Sequence, residues 1–199
     1  MKLGILISGR GSNMLAIAEA VENGTIPNAE IAVVISDKPS AHGLLKAQEK
    51  GIETLAIPRN GRTREEHDAE IVSELKKRGV EFVCLAGYMR LLSKDFIRSF
   101  PNQIINIHPS LLPAFKGLDA QKQAFDYGVK FTGCTVHFVD EELDHGAIIA
   151  QKVVEVKEDD TAETLSHRIL EHEHQLYIEA IAKITGNNYE IVGRKVRFF

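Results

Sequence analysis

The segment Asn106-Ile107-His108-Pro109-Ser110-Leu111-Leu112-Pro113 sets an amide and an imidazole two residues apart at the end of an apolar run. In an extended chain such residues point to one side, while Ile107 points to the other, toward a core. An amide NH2 can stabilise a developing oxyanion, and an imidazole can move protons near neutral pH. The prolines stiffen the loop behind the pair. A second candidate, Ser8-Gly9-Arg10-Gly11-Ser12-Asn13, stands between an apolar run and a helical pattern. Its glycines permit a tight turn, and exposed N–H groups at a helix start favour a phosphate. It lacks the Lys-Ser/Thr ending of a Walker loop, and Met14 stands where a dinucleotide fingerprint has its third glycine. The alternative is a glycine turn that only packs helix on sheet.

A third candidate is the acidic turn Asp140-Glu141-Glu142-Leu143-Asp144, followed by His145 and Gly146. An aspartate beside His108 would favour the imidazolium form. Spacing does not choose between Asp140, Glu142 and Asp144, and turn preference accounts for any of them. Arg64 falls at a helix start, where the dipole disfavours it, so an anionic ligand, an acidic neighbour or plain solvation must accommodate it. Arg90 follows a strand at its carboxyl end, where parallel sheets bind ligands. Glu171, His172, Glu173 and His174 run consecutively on a long helix, so they cover more than one face and most must be solvated or capped. His108, His137, Asp144 and His145 are types that zinc accepts, but no tight spacing supports a metallohydrolase. Cys84 and Cys134 lie in apolar stretches without a CxxC spacing, which implies buried thiols in a reducing compartment.

These groups need a frame. Apolar runs at 3–7, 31–35, 54–57, 82–86 and 104–107 alternate with helical patterns at 13–22, 41–50 and 63–78 and a short helix capped by Ser93. Leu15, Ala18 and Val21 mark the expected inner face of the first helix. Thr63 and Glu66 form a capping-box signature. The order βαβαβαβαβ implies a parallel sheet with helices on both faces. A loop at 109–117, a helix at 120–127 and strands at 131–139 and 147–156 follow. A long helix then runs from about 161 to Ile184, stopped by Gly186, before a hairpin at Gly193-Arg194. The fold class expected is α/β, an open, mostly parallel, doubly wound Rossmann-like sheet with a C-terminal helix and hairpin. No linker divides it, so residues 1–199 are expected to be a single domain, with a phosphate-binding half at about 1–100 and a catalytic half at about 101–199.

The chain has 199 residues, 44% hydrophobic and 26% charged, with a net charge of −4. That balance suits an ordinary globular core and disfavours sequence-independent nucleic-acid binding. No run approaches the roughly 20 apolar residues of a membrane span, and the N-terminus is not a signal peptide. A cytoplasmic protein without membrane or nucleic-acid partners is expected.

The residues ILISGRGSN at the start, LAGYMRLL at 85–92, INIHPSLLP at 105–113 and GCTVHFVDEELDHGAII at 133–149 resemble the phosphoribosylglycinamide formyltransferase family. The resemblance runs nearly end to end. It implies formyl transfer from 10-formyltetrahydrofolate, as co-substrate, to the amine of glycinamide ribonucleotide in purine biosynthesis, with no metal. It implies Asn106, His108 and Asp144 as the catalytic trio. It also implies Gly11, Ser12 and Asn13 on the ribose phosphate and Glu173 at the glycinamide end. Arg64, Met89, Arg90, Leu91 and Leu92, with Asn106, Asp140 and Asp144, would line the folate pocket. Lys116 stands where such enzymes often have proline, and Gln103 where a basic residue is common. The assembly would be a monomer or homodimer.

The nearest competitor is formyltetrahydrofolate deformylase, which resembles this chain around INIHPSLLP but delivers the formyl group to water. It normally carries an extra N-terminal regulatory domain, and methionyl-tRNA formyltransferase a C-terminal extension; this chain is expected to have neither. A protein that only binds a nucleotide through its first loop is a further alternative.

Overall fold

Leu3, Ile5, Leu6 and Ile7 are fully buried in β1 (Lys2–Ile7). A strand apolar on both faces needs a helix layer on each, which is the pattern of a parallel sheet. The computed structural model describes residues 1–199, which form two compact units, residues 1–105 and 106–199.

The first unit runs through α1 (Ser12–Glu22), β2 (Glu30–Ser36), α2 (His42–Glu49), β3 (Thr54–Ala56), α3 (Arg64–Lys77), β4 (Phe82–Leu85) and α4 (Lys94–Ser99). Its strands lie in the order β3-β2-β1-β4, all parallel. The capping box forms as the sequence implies: Glu66 N donates to Thr63 Oγ1 at 3.1 Å and Thr63 N to Glu66 Oε2 at 2.8 Å. Ser93 caps α4 by accepting from Phe96 N. A Cβ on Gly4 would stand 2.5 Å from Leu75 Cδ2, so the absent side chain lets α3 lie close on β1. In α1 the buried apolar residues are Met14, Ile17, Ala18 and Ala20, while Leu15 and Val21 are only half-buried. The inner face therefore follows the 14, 17, 18 spacing, and the expected 15, 18, 21 stripe runs along its shoulder.

The second unit begins inside β5 (Ile104–His108) and continues through α5 (Ala120–Tyr127), β6 (Phe131–Phe138), β7 (Ile148–Glu155), α6 (Ala162–Gly186), β8 (Tyr189–Val192) and β9 (Lys195–Phe198). β6 and β7 pair antiparallel, β9 joins β7 in parallel, and β8 closes a hairpin on β9. Leu165, Ile169, Leu176, Tyr177, Ala180, Ile181 and Ile184 form the buried face of α6, whose start is tied down by a two-pronged pair between Arg168 and Asp160. The helix includes Gly186 instead of stopping before it, because its C-cap falls at Asn187 in an extended conformation. The fold is an open, mostly parallel α/β sheet flanked by helices and ending in a hairpin, as the alternating pattern implies.

Candidate active site

Asn106 and His108 stand at the end of β5, with Ile107 buried between them on the opposite side. The loop that follows is fixed by one buried hydroxyl. Thr135 Oγ1 on β6 donates to Ser110 O at 2.7 Å and accepts from Leu112 N at 3.1 Å and Gln151 Nε2 at 3.0 Å. Gln151 also holds the Leu112 carbonyl, just before a cis Leu112–Pro113 bond. Thr135 and His137 share a face of β6, so the strand that anchors the loop also sends an imidazole into the site.

The acidic turn resolves. Asp144 Oδ2 lies 3.5 Å from His108 Nδ1, and its Oδ1 lies 3.8 Å from His137 Nε2. Asp140 turns away: its Oδ2 is 2.8 Å from His145 Nδ1, and its Oδ1 accepts from Glu142 N. Glu142 is exposed. Asp144 is therefore the one carboxylate of the turn placed on His108. It is held there by Gly117 N, which donates to Oδ2 at 2.8 Å. Its backbone sits at φ 45° and that of Phe115 at φ 52°. An aspartate tolerates this left-handed region, whereas a phenylalanine does so only under strain of the kind that clusters at functional sites.

Carbonyl partners assign the ring protons. His108 Nε2 lies 2.8 Å from Phe115 O, so it carries a hydrogen, and Nδ1 is the nitrogen left facing Asp144. A charged His108 would therefore meet an acceptor at both nitrogens. His137 Nδ1 lies 2.8 Å from Phe138 O, so that nitrogen is protonated and Nε2 is free to accept the Asn106 amide at 3.4 Å. Burial pushes the His137 pKa down, with the neighbouring His108 acting the same way. A neutral His137 thus orients the Asn106 NH2, one hydrogen of which is left for a ligand.

The remaining candidates fall into the two units. In the first, Gly11 is the N-cap of α1 at φ 72° and contributes no capping side chain, so the helix opens on backbone N–H groups without an acidic first turn. A Cβ on Gly11 would meet Gly43 Cα at 2.6 Å, so glycine is required both by the conformation and by the approach of α2. Arg64 is exposed at the first position of α3. Met89 and Leu91 are exposed, Leu92 is buried, and Arg90 Nη1 lies 3.9 Å from Asp37 Oδ2. In the second unit, Glu173 is buried on α6 while Glu171 is exposed. Burial and, secondarily, the Glu173 charge push the Cys134 thiol up to about 12. Both cysteines are buried and unbridged.

His137 and the Phe115 carbonyl also belong to this cluster, beyond the residues that type and spacing mark in the sequence. The shared face of Thr135 and His137 was the available signal for the first; the loop geometry that brings Phe115 in has none. Of the four residues whose types zinc would accept, His108, His137, Asp144 and His145, the last faces Asp140 instead, and no group of three His, Cys, Asp or Glu side chains is placed to hold a metal ion.

Comparison with known proteins agrees. The formyl transferase family model matches residues 1–181. Phosphoribosylglycinamide formyltransferase of Bacillus subtilis is 42% identical over 188 residues, covering 94% of this chain and 96% of that protein. The crystal structure of glycinamide ribonucleotide transformylase 1 from Symbiobacterium toebii superimposes with a TM-score of 0.97 at 48% identity, covering 100% of this chain and 94% of that one. The trifunctional purine biosynthetic protein adenosine-3 of Gallus gallus is 44% identical over 192 residues, and the chain spans only 19% of its length. Its fold, its motifs and this end-to-end match place the chain in the formyl transferase family.

Proposed function

We propose that the protein transfers the formyl group of 10-formyltetrahydrofolate to the amine of glycinamide ribonucleotide, releasing tetrahydrofolate. The convergence of Asn106, His108 and Asp144 carries this function. An amide donor, an imidazole and a carboxylate fixed beside it are the parts that a tetrahedral oxyanion and one proton transfer require.

The amine forms a bond to the formyl carbon, and the C=O becomes a C–O⁻ that Asn106 Nδ2 stabilises. Collapse breaks the bond to the folate nitrogen, which leaves with a proton delivered by His108, and the proton shed by the attacking amine replaces it on the ring. Asp144 favours the charged ring during that relay. Because Phe115 O occupies His108 Nε2, substrate must draw that carbonyl aside before Nε2 can serve the reacting atoms. Holding the two substrates together supplies several kcal/mol, of the order of about 7 or more for well-oriented partners.

Phosphate recognition is assigned to Gly11, Ser12 and Asn13 in residues 1–105, and the chemistry to residues 106–199. Glu173 would hold the glycinamide end. Arg64, Met89, Arg90, Leu91 and Leu92, with Asn106, Asp140 and Asp144, would serve the folate. No helix is long and apolar enough to cross a membrane, and a cytoplasmic monomer or homodimer without a metal is the form proposed. The test is a formyl-transfer assay with glycinamide ribonucleotide against a water-only control. Acceptor-dependent release of tetrahydrofolate is expected; equally fast release without acceptor would identify a deformylase.

A further inference from the structure

The segment 87–93 is fastened in a way that the formyl-transfer chemistry does not call for. Ser8, the first residue of the glycine loop, donates from its backbone N to Gly87 O at 3.1 Å. Its hydroxyl donates to Asp37 Oδ1 at 2.6 Å, so its lone pairs are left to accept, and Met89 N does donate to it at 2.9 Å. Asp37 Oδ2 in turn faces Arg90 Nη1 at 3.9 Å. The circuit closes on itself: carboxylate, hydroxyl, Met89 amide, Arg90 guanidinium and back to the carboxylate. At the far end, Ser93 N donates to the buried Asp68 Oδ2 at 2.6 Å.

The direction of each bond is fixed, because an ionised carboxylate only accepts and a backbone N–H only donates. The carboxylate polarises the hydroxyl and makes it a better acceptor for the amide. Ser8 is 4% exposed, so water cannot easily replace it. Between the two anchors, Met89 and Leu91 keep their side chains exposed, as a surface set to receive a flat ligand would.

We infer that Ser8, oriented by Asp37, is a positioning residue that fixes the backbone of the donor-binding segment Met89–Leu92 in register with the glycine loop that Ser8 opens. It touches neither substrate. This inference rests on the proposed folate role of residues 89–92. The Ser8→Ala variant removes the acceptor of Met89 N and leaves the Asp37 carboxylate short of a donor. A loss of that size corresponds to about a tenfold rise in the donor KM, with kcat and the acceptor KM moving by less than about threefold. Asp37→Asn is expected to act in the same direction, and the double variant to be no worse than Ser8→Ala alone, because both interrupt one circuit. Ser8→Thr, which keeps the hydroxyl, should restore most of the donor KM.

The experiment measures both KM values, kcat and the melting temperature for the wild type, Ser8→Ala, Asp37→Asn, the double variant and Ser8→Thr. Tetrahydrofolate binding by titration calorimetry reads the donor segment without turnover. A wild type that neither transfers formyl nor binds tetrahydrofolate would sink the proposed function itself. An active wild type whose Ser8→Ala variant keeps its donor KM within twofold would overturn this inference alone. So would equal rises in both KM values with a lowered melting temperature, the mark of general loosening. If Ser8→Ala does not fold, Asp37→Asn decides by the same criteria.

Discussion

Asp144→Asn isolates the charge of the carboxylate from its place in the fold. The asparagine Oδ1 can take over the Gly117 N–H now held at 2.8 Å, and its NH2 then stands where Oδ1 was, 3.8 Å from His137 Nε2 and outside the 3.4 Å bond that this nitrogen accepts from Asn106. The loop should stay as it is, and only the attraction between a carboxylate and a charged His108 is lost. At the observed 3.5 Å that attraction is about 1 kcal/mol under water-like screening and about 5 kcal/mol at an effective dielectric near 20. Both side chains are less than a tenth exposed, which favours the upper part of the range. The expected loss in kcat is therefore roughly tenfold to a few thousandfold, with the melting temperature nearly unchanged. Steady-state formyl transfer from about pH 5.5 to about pH 9, spanning the histidine range, measures it. Turnover within threefold of wild type at every pH would refute the idea that Asp144 acts by favouring a charged His108.

Asn106→Ala should lower kcat by roughly a hundredfold or more, about 3 kcal/mol for one oxyanion donor, with little effect on the acceptor KM; separate kcat and KM determinations decide it. His137 is held neutral by burial, so below its ordinary value of 6.5 the unfolded chain binds a proton that the folded chain refuses. Stability is then complete above that pH and falls as the pH drops toward the lowered folded value, by at most about 1.4 kcal/mol per pH unit from this group. Thermal melts of wild type and His137→Gln across that window should show a shallower acid slope in the variant. Gly146→Ala would put a Cβ 1.8 Å from Phe138 O; a clash with backbone cannot relax cheaply, and a loss of about 3 kcal/mol or more is expected in denaturant melts. A melt within about 1 kcal/mol of wild type would show that this strand junction is looser than it stands.

Much of the fold was readable because the signals are local. The buried run Leu3–Ile7, the Thr63–Glu66 capping box and the Ser93 cap each state their element within a few residues. The pairing of Asn106 with His108 followed from the two-residue period of a strand alone. The rest of the site is made by distant contacts. Nothing in the turn 140–144 says that Asp144 reaches His108 while Asp140 pairs with His145; that is decided by a left-handed residue and by Gly117, 27 positions upstream. His137 could have been added by its shared face with Thr135, but its long-range partner, Asn106, appears only once the strands are assembled. The buried state of Glu173 within a run of four polar residues was equally hidden, since helix phase alone leaves open which of the four turns inward.

One hydrogen bond of the C-terminal hairpin reaches the loop that holds Asp144. Arg194, in the turn between β8 and β9, donates from Nη1 to the carbonyl of His145, the residue next to Asp144. β9 itself meets β7 at Ile148, just past the same loop. The turn that presents Asp144 to His108 is thus moored to the last strands of the chain. The same hairpin also stacks Tyr189 on the buried Phe138, ring centroids 5.4 Å apart, so the last strands brace both ends of the loop that carries Asp144.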